Sequence, residues 1–225
     1  KKFQNFLTSF RATSGTYLPN GDLKDVRASN FIITLGTHIT HDSPIARYAF
    51  NNGMSMNKGA GLYCHPLKDD TVEGLSKNLL PLTYNVGSEE VMMYLLLDLF
   101  ADKTQLPQDL SDYLNSFHTL STVQKIEKVK EKISEVVVEK TTNDEGEEVE
   151  VEKTVTKEIT VDVTVDHNRL FDMAGLQPEM QDKIQALLAK KETFSFILGE
   201  DVYNHPQASN IARLAGLFQS ASSFK

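Results

Sequence analysis

The feature that most constrains the fold is a run of five residues, Phe31–Leu35, that ends at Gly36. Four of them are large and apolar and the fifth, Thr34, is β-branched, so neither face of the run is suited to water. A continuous apolar run this short is typical of a strand buried on both faces of a parallel sheet rather than of a helix. We therefore expect an α/β fold.

The residues after this strand predict a helix and a second strand. Pro44 suits the first position of a helix, and Asp42 or Ser43 suits the N-cap. The helix should extend over 45–50 and be followed by a second buried strand at 62–64. Strand, helix and strand together form one right-handed crossover unit of a Rossmann-like sheet. The apolar residues that share one face of this helix are Ile45, Tyr48 and Ala49.

Later segments continue the α/β pattern. A mostly buried helix is predicted at 91–100, with Ser88 as its N-cap, and an amphipathic helix is predicted at 178–190. The strand-like segment 194–198 ends at Gly199, just as the first strand ends at a glycine. A polar loop and a helix follow in both places, so the chain contains two similar strand-loop-helix corners.

A shift in composition marks an insertion at 123–166, between the α/β segments 1–122 and 167–225. Apolar or long residues occupy every odd position over 149–165, whereas Glu, Thr and Asp dominate the even ones. This alternation predicts a long two-faced strand. Its expected partner is the valine run at 136–138.

The insertion is expected to be a β-hairpin arm over 133–165 that serves assembly. The turn of the hairpin is predicted at 143–146, because its residues tolerate a positive φ. A short charged helix is predicted before the hairpin, at 123–133. There Glu127 and Glu131 are spaced one helical turn apart among lysines.

Charge and composition exclude several classes of protein. The formal net charge of -8 argues against a nucleic-acid partner, which would call for a basic face. No stretch approaches the roughly 20 apolar residues of a membrane helix, so no direct membrane span is expected. Because the chain begins with Lys1 rather than Met, we expect a fragment of a larger subunit.

A single cysteine, Cys64, limits the redox chemistry of the segment. One thiol can form neither an internal disulfide nor the set of about four thiolates that an iron-sulfur cluster requires. We therefore expect no cluster within this chain. Cys64 lies in a strand-like run, and we interpret it as a small buried apolar side chain rather than a nucleophile.

Three loops are candidates for ligand binding, because they follow the predicted strands and precede helices. They span 36–44, 65–70 and 85–89. The sequence contains neither a GxGxxG motif nor a GxxxxGK[ST] phosphate loop. In the third loop, Glu89 together with Glu90 would repel a phosphate group.

The first loop raises the hypothesis of a metal site, because His38, His41 and Asp42 lie close together in the sequence. No regular element presents these side chains on one face, and no fourth ligand is apparent. The alternative is a polar loop whose His and Asp side chains bond to neighbouring backbone groups. Three further histidines are isolated in the sequence: His118, His167 and His205.

Three segments resemble the molybdopterin oxidoreductase superfamily. In 31–52 a strand, a glycine loop and a Pro-started helix follow one another, 79–98 is similar to the family's Pro-Gly-Thr-Asp segment, and 196–217 is similar to a later strand-Gly-loop. Together they look most like the G subunit of bacterial NADH-quinone oxidoreductase (respiratory complex I) of the epsilonproteobacterial type. The resemblance implies a Rossmann-like parallel sheet flanked by helices, like the middle domain of formate dehydrogenase and DMSO reductase, with the arm inserted.

Carried over position by position, the resemblance implies a pocket for the pterin-guanine cofactor. The residues that would line it are Gly36, Thr37, His38, His65, Pro66, Gly87, Ser88 and Glu89. This chain departs from the family's pattern at His38, which replaces an Asn, and over 86–89, which replaces Pro-Gly-Thr-Asp. His65 and Leu67 also replace an Asp and an Arg, whose charged hydrogen bonds to the base and a phosphate would each contribute about 1.5–3 kcal/mol. The pocket is therefore expected to be vestigial.

The resemblance implies a non-catalytic structural domain of the iron-sulfur G subunit, supporting electron transfer that occurs elsewhere in the complex. It would hold no cofactor, and the iron-sulfur clusters would lie in the rest of the subunit. Its partners would be other peripheral-arm subunits, on the cytoplasmic side of the inner membrane. Two alternatives stay open: an active molybdopterin- or nucleotide-binding oxidoreductase domain, and a protein-protein interaction module built on the β-arm. Self-association through 133–165 is a further expectation for the partners of this chain.

Overall fold

The computed structural model describes residues 1–16, 19–131, 141–142, 148–149, 155–189 and 191–225. The chain divides into two compact units. The first, which we call the body, comprises Lys1–Thr119 and Asn168–Lys225, and the second, the ribbon unit, comprises Leu120–His167. Within the described ranges, no helix has the length and apolar character needed to cross a membrane.

The secondary structure alternates between strands and helices over most of the body. The strands of the described residues are β1 Phe31–Leu35, β2 Ala60–Cys64, β3 Leu79–Leu82, β4 His118–Glu131, β5 Thr141–Thr142, β6 Glu148–Val149, β7 Val155–Asn168 and β8 Phe194–Leu198. The helices are α1 Lys2–Ser14, α2 Leu23–Ala28, α3 Ile39–Asp42, α4 Pro44–Met56, α5 Asp70–Glu73, α6 Glu89–Phe100, α7 Gln108–Asn115, α8 Arg169–Ala174, α9 Met180–Leu188, α10 Glu200–Asn204 and α11 Ala208–Ala221, with a 3₁₀ turn at Lys103–Gln105.

The body is built on a four-stranded parallel sheet in the order β3-β2-β1-β8. In the register of β1, Phe31 lies opposite Ala60 of β2 and opposite Phe194 of β8. All five residues of β1 are buried, as are all five of β2. The prediction of a parallel α/β sheet is confirmed, and so are the strands predicted at 62–64 and 194–198.

Helices cover both faces of the sheet. Successive residues of a strand point to opposite faces, and Phe31, Ile33 and Leu35 accordingly belong to one apolar cluster while Ile32 belongs to the other. The first cluster includes residues of α1, α6, α8 and α11, and the second includes residues of α2, α4 and α5. The sheet therefore forms the middle layer between two layers of helices.

Two helices begin close to where the sequence predicts, but only one has the predicted cap. In α4, Pro44 is the first residue, and Ser43 Oγ accepts a hydrogen bond from the Ala46 N–H (3.3 Å). In α6, Ser88 occupies the N-cap position, yet its side chain forms no cap hydrogen bond with any described residue. That part of the prediction is wrong. The acidic Glu89 in the first turn is what suits the positive end of the helix dipole instead.

Helix α4 buries a different face from the one that its apolar pattern predicts. Ala49 is buried as expected, whereas Ile45 and Tyr48 are 69 and 64 % exposed. The reason lies at Gly53, which allows the helix to approach the sheet so closely that a Cβ there would lie 2.6 Å from Ile32 Cδ1. The residues of α4 that are buried are Ala49, Phe50, Gly53 and Met54.

In the ribbon unit, β4 and β7 pair as a two-stranded antiparallel sheet. The charged helix predicted at 123–133 is therefore wrong, because this segment continues β4 as far as Glu131. Its glutamate spacing suits a helix only weakly, and pairing with another long strand outweighs such a local preference. An exposed ion pair joins the two strands, with Lys128 Nζ 3.2 Å from Glu158 Oε1.

The second half of the predicted arm is present as β7, which begins at Val155. The partner predicted for this strand, 136–138, lies outside the described residues. In the described part, β7 pairs with β4. The short strands β5 and β6 are antiparallel, with Thr141 opposite Val149. The turn predicted at 143–146 lies outside the described residues as well.

Excision of the ribbon unit should leave the body folded. The unit, 120–167, nearly coincides with the insertion predicted at 123–166. Joining Thr119 to Asn168 through a short Gly-Ser linker keeps all strands of the parallel sheet and both apolar clusters, because these lie in the body. We expect circular dichroism to retain the helical signal and thermal unfolding to stay cooperative. A trimmed chain without helical signal would contradict the division into two units.

Candidate functional site

Doubly wound parallel sheets bind ligands at their carboxyl edge, at the point where the strand order reverses. In this sheet the point lies between β1 and β8, because β2 and β3 extend the sheet on the other side of β1. The loop after β1 begins at Gly36, and the loop after β8 begins at Gly199. The ligand-binding site expected for such a sheet therefore lies where these two loops meet.

Backbone atoms of the two loops close the gap between β1 and β8. The Gly199 N–H donates to the Leu35 carbonyl (2.8 Å). Further along, the Asp201 N–H donates to the Gly36 carbonyl (3.1 Å). A Cβ atom at position 199 would lie 2.0 Å from the Gly36 oxygen and 2.3 Å from Thr37 Cβ, so only glycine fits there. The hydrogen bonding between β1 and β8 therefore continues for one step past the two strands.

A single carboxylate organises the loop after β1. Asp42 Oδ2 accepts hydrogen bonds from the backbone N–H of His38 (2.7 Å) and from the hydroxyl of Thr37 (3.1 Å), which is buried. Gly36 turns the chain with φ 64°, in the left-handed region that favours glycine. The arrangement matches the alternative interpretation of this loop, in which an Asp side chain bonds to nearby backbone groups.

The structure brings the predicted His38 and His65 together with His41. The ring centroid of His38 lies 4.5 Å from that of His41 and 5.3 Å from that of His65. His38 Nδ1 is also 3.7 Å from Asp69 Oδ2. In the part of the chain that the structure describes, no three His, Cys, Asp or Glu side chains are placed so as to hold a metal ion. His38, His41, His65 and Asp69 thus form a group of polar side chains in contact with one another, which is the first of two contact groups at this edge.

Asp69, which the sequence analysis did not single out, joins the loops after β1 and β2. Its Oδ1 accepts hydrogen bonds from the N–H groups of Thr71 (3.1 Å) and Val72 (3.3 Å) and so caps α5, while Oδ2 accepts one from the Thr40 hydroxyl (2.5 Å). Burial alone would raise the pKa of this carboxyl, but the hydrogen bonds and the nearby His38 outweigh it and lower the pKa. Asp69 is thus an ionised carboxylate that links the loops after β1 and β2 through its hydrogen bonds.

His65 links the second strand of the sheet to the loop after the last. Its ring is buried, with Nδ1 3.0 Å from the Leu67 carbonyl oxygen and 3.1 Å from the Leu67 nitrogen. On the other side of the ring, Nε2 lies 3.5 Å from Asp201 Oδ2. Pro66 beside it is half-buried, and Leu67 is 62 % exposed. Both ring nitrogens of His65 therefore face groups of the chain itself.

The third predicted loop forms a second contact group, centred on the buried Glu89. Glu89 Oε2 lies 3.3 Å from His205 Nε2, and Oε1 accepts a hydrogen bond from the Tyr84 hydroxyl (3.4 Å). Burial and then the charge of Glu89 raise the pKa of Tyr84, so the phenol keeps its proton. Gly87, exposed at φ 83°, has its carbonyl oxygen 3.3 Å from His205 Nε2, and Ser88 is half-buried. A carboxylate thus occupies the amino end of α6, where a phosphate would have to bind.

A further buried polar network surrounds Asp98 of α6. Its Oδ1 lies 2.6 Å from Lys103 Nζ, and its Oδ2 lies 2.8 Å from His118 Nε2. The same oxygen accepts a hydrogen bond from Asn168 Nδ2 (2.6 Å). Asn168 Oδ1 in turn accepts one from the Leu170 N–H (2.9 Å) and caps α8. The network fixes the residues at which β4 begins and β7 ends.

The structural roles of His205 and Asp98 were not predicted from the sequence. His205 lies far from Glu89 in the sequence, and no local pattern marks the pair. For Asp98 a signal existed, because an ionised carboxylate inside the apolar stretch 91–100 must find partners when that stretch is buried. Cys64, in contrast, matches its interpretation: it is fully buried, and burial raises the pKa of its thiol, which stays protonated.

Two surface grooves, each of about 400 Å³, are found on the described part of the body. One is lined by Phe100, Asp102, Gln105, Ala221, Ser222 and Ser223. The other is lined by Lys2, Asn5, Phe6, Tyr203, Asn204, His205, Pro206, Ala208 and Ser209. Of the residues that form the two contact groups at the sheet edge, only His205 appears in either lining.

Fold and site together define a parallel α/β domain in which polar side chains at the carboxyl edge of the sheet contact one another and the neighbouring backbone. No protein-family model matches the chain. No curated protein matches it either.

Proposed function

We propose that this chain is a cofactor-free structural domain of the iron-sulfur G subunit of a respiratory NADH-quinone oxidoreductase. In this proposal the domain has the fold of the middle domain of formate dehydrogenase and DMSO reductase. It packs against other peripheral-arm subunits on the cytoplasmic side of the inner membrane, while electron transfer takes place elsewhere in the complex. The parallel α/β sheet and the resemblance of 31–52, 79–98 and 196–217 support the proposal.

The observation that supports it best is the closure of the sheet edge between β1 and β8. A pterin-guanine cofactor or a dinucleotide needs an open crevice there, lined by free N–H groups. Here the Gly199 N–H is bonded to the carbonyl of Leu35, the last residue of β1, and the Asp201 N–H is bonded to the carbonyl of Gly36. To admit a ligand the chain would have to break these bonds and separate the two loops.

The remaining predicted pocket residues do not fit the cofactor either. His65, where the family has an Asp, has both ring nitrogens next to groups of the chain, among them the carboxylate of Asp201. Glu89 places a buried carboxylate at the end of α6 and faces His205. A phosphate there would meet a like charge in a region of low dielectric, where repulsion is strong.

Purification of the native protein tests both parts of this proposal. A tagged copy of the gene product, expressed at its natural level, should migrate with NADH-dehydrogenase activity on a native gel. The isolated chain, titrated with GDP in a calorimeter, should show no binding tighter than about 1 mM. Acid denaturation of the native sample should release no pterin. An untagged strain gives the background for the gel.

Each outcome separates the proposal from a rival. Micromolar binding of GDP, or a pterin in the acid extract, would favour the active molybdopterin- or nucleotide-binding domain. Migration apart from the dehydrogenase activity would refute the assignment to the respiratory complex, whether or not the chain binds GDP.

A second candidate function is a protein-interaction module built on the ribbon unit. Leu120 and Ile126 of β4 are 78 and 68 % exposed, and Ile159 of β7 is 44 % exposed. A two-stranded ribbon has no second layer of its own to cover such side chains. If this function is correct, the chain without 120–167 should lose a self-association that the whole chain shows in sedimentation.

A further inference from the structure

Two asparagine residues of the chain are each followed by a glycine, and the fold places them in different surroundings. Asn20 and Gly21 lie in the loop before α2, whereas Asn52 and Gly53 lie within α4. A glycine leaves the preceding asparagine open to attack by the backbone, because it has no side chain to shield its nitrogen atom and it rotates freely. The two dipeptides are therefore chemically alike, and the structure distinguishes them.

The loop leaves the reacting atoms of Asn20 and Gly21 without restraint. Asn20 is exposed, and its side chain forms no hydrogen bond with any described residue. The N–H group of Gly21 likewise donates to no described residue. The bond that does hold Asn20, from its backbone N–H to Gln219 Oε1 (2.8 Å), involves neither the side-chain amide of Asn20 nor the nitrogen of Gly21.

The helix restrains the second dipeptide at the same atoms. Gly53 lies inside the 13-residue helix α4, where its N–H points along the helix axis to the carbonyl of the preceding turn. The residue is also buried, and a Cβ on it would lie 2.6 Å from Ile32 Cδ1. The Gly53 nitrogen can therefore reach the Asn52 side chain only if the helix opens, which costs free energy that rotation in an exposed loop does not.

We propose that Asn20 is a site of spontaneous deamidation, which converts it into isoaspartate and aspartate while Asn52 stays intact. The Gly21 nitrogen attacks the side-chain amide carbon of Asn20 and forms a cyclic imide. The bond from that carbon to the amide nitrogen breaks, and ammonia leaves with the proton of the Gly21 N–H. Water then opens the imide at either of its two carbonyl carbons. The reaction needs no enzyme or oxidant, and it adds a negative charge to the loop.

Of the two products, isoaspartate changes the path of the chain. Its backbone runs through the former side-chain carbonyl, so a methylene group is added to the chain directly before Gly21. Gly21 has no room for an additional group, because a Cβ on it would lie 2.6 Å from the backbone carbonyl carbon of Lys225. The longer backbone should therefore displace Gly21 from Lys225.

Lys225 in turn lies along β8, the last strand of the sheet order. The Phe196 N–H donates to the Lys225 carbonyl (2.8 Å), and the Lys225 N–H donates to the Phe194 carbonyl (3.2 Å). These bonds form a short parallel bridge beside β8. Lys225 Nζ also lies 3.2 Å from Asp25 Oδ1 of α2. Isoaspartate at position 20 should therefore loosen the bridge.

Ageing of the whole chain in buffer tests the proposal. The purified protein is kept at physiological temperature and mildly alkaline pH, and samples are digested and analysed by mass spectrometry. We expect the peptide with Asn20 to be converted about tenfold faster than the peptide with Asn52, or faster still, since only Asn52 needs local unfolding. In concentrated urea, where the fold is lost, the two rates should become similar. Methylation by protein L-isoaspartyl methyltransferase should rise together with conversion of Asn20.

Asn20→Gln is the matched control, because a glutamine would have to close a larger ring and reacts more slowly. The substitution changes an exposed side chain, so its melting temperature should stay within about 2 °C of the parent. The variant should gain little methylation on ageing. Hydrogen exchange at the Phe196 and Lys225 amides should become faster in the aged parent and stay unchanged in the aged variant.

The outcomes that overturn the proposal are specific. One is an Asn20 that stays intact in the folded protein over the time in which it is converted in urea. Another is an Asn52 that is converted as fast as Asn20 in the folded protein. Unchanged hydrogen exchange at Phe196 and Lys225 after conversion to isoaspartate would refute the loosening of the bridge. Because the reaction needs no partner, these results are independent of the assignment to the respiratory complex.

Discussion

Replacing Gly199 by valine should lower the free energy of unfolding by on the order of 4 kcal/mol, which corresponds to a fall of roughly 10 °C in melting temperature. The cause is backbone crowding. Any Cβ at this position would lie 2.0 Å from the Gly36 carbonyl oxygen, and a backbone atom cannot move aside as a side chain can. The two loops would separate, and the Gly199 and Asp201 hydrogen bonds that close the sheet edge would weaken with them.

The control for this substitution is Gly87→Ala. Gly199 has a φ of -90°, whereas Gly87 has a positive φ of 83°, and a Cβ at position 87 would meet no atom within 4 Å. Its replacement should cost only about 1 kcal/mol, the penalty of the left-handed backbone. Thermal and urea unfolding monitored by circular dichroism give both values. If Gly199→Val melts within about 2 °C of the parent, the loops do not close the edge as described.

Replacing Asp98 by alanine should cost about 3 kcal/mol, because removal of one partner leaves the others of a buried network without their charge or acceptor. The Asp98 side chain is 1 % exposed and lies within 2.8 Å of both Lys103 Nζ and His118 Nε2. Asn168, itself buried, would lose the acceptor of its amide group. The effect should extend to α8, since the other atom of that amide caps it.

An exposed ion pair provides the comparison for Asp98. Glu158 pairs with Lys128 at 3.2 Å, with both side chains more than half exposed. Glu158→Ala should therefore change the stability by less than about 0.5 kcal/mol. Hydrogen exchange should show faster exchange at 169–174 in Asp98→Ala alone. Equal stability of the two variants would show that the Asp98 network adds nothing to the fold.

The elements that could be predicted from the sequence are those in which local chemistry and burial agree. The run at 31–35 is apolar on both faces, and a centre position in a parallel sheet is where such a run is stable. Pro44 and Ser43 fix the start of α4 through their own backbone and side-chain properties. The helix predicted at 178–190 runs over Met180–Leu188, since its amphipathic pattern matches its environment.

Other elements depend on partners that are remote in the sequence, and there local reasoning failed. The segment 123–133 has helical charge spacing, but its described part, as far as Glu131, is a strand that pairs with β7, and no local pattern contains that information. The face of α4 was assigned wrongly at Ile45 and Tyr48 because apolar residues lie on two sides of this helix. Which side is buried depends on Gly53 and the sheet beneath it.

In the candidate site, too, the positions of the residues could be predicted from the sequence, whereas their contacts could not. Gly36, Thr37, His38 and His65 lie at the sheet edge where the strand pattern predicts them, because the carboxyl ends of parallel strands must meet there. What these residues do was not predictable. The contact of His65 with Asp201 joins the end of β2 to α10, and that of Glu89 with His205 joins the start of α6 to the end of α10. The sequence separation of the partners exceeds any local pattern.

The position of β8 in the sheet has a consequence for how the protein folds during its synthesis. Phe31 of β1 pairs with Phe194 of β8, so about 160 residues must be synthesised between two neighbouring strands. At a translation rate of about 5 to 20 residues per second this takes roughly 10 to 30 s. During that time the edge of β1 that later pairs with β8 has unpaired backbone N–H and C=O groups. These groups can pair with other nascent chains. Until β8 is synthesised, this open edge of β1 therefore favours aggregation of the nascent chain.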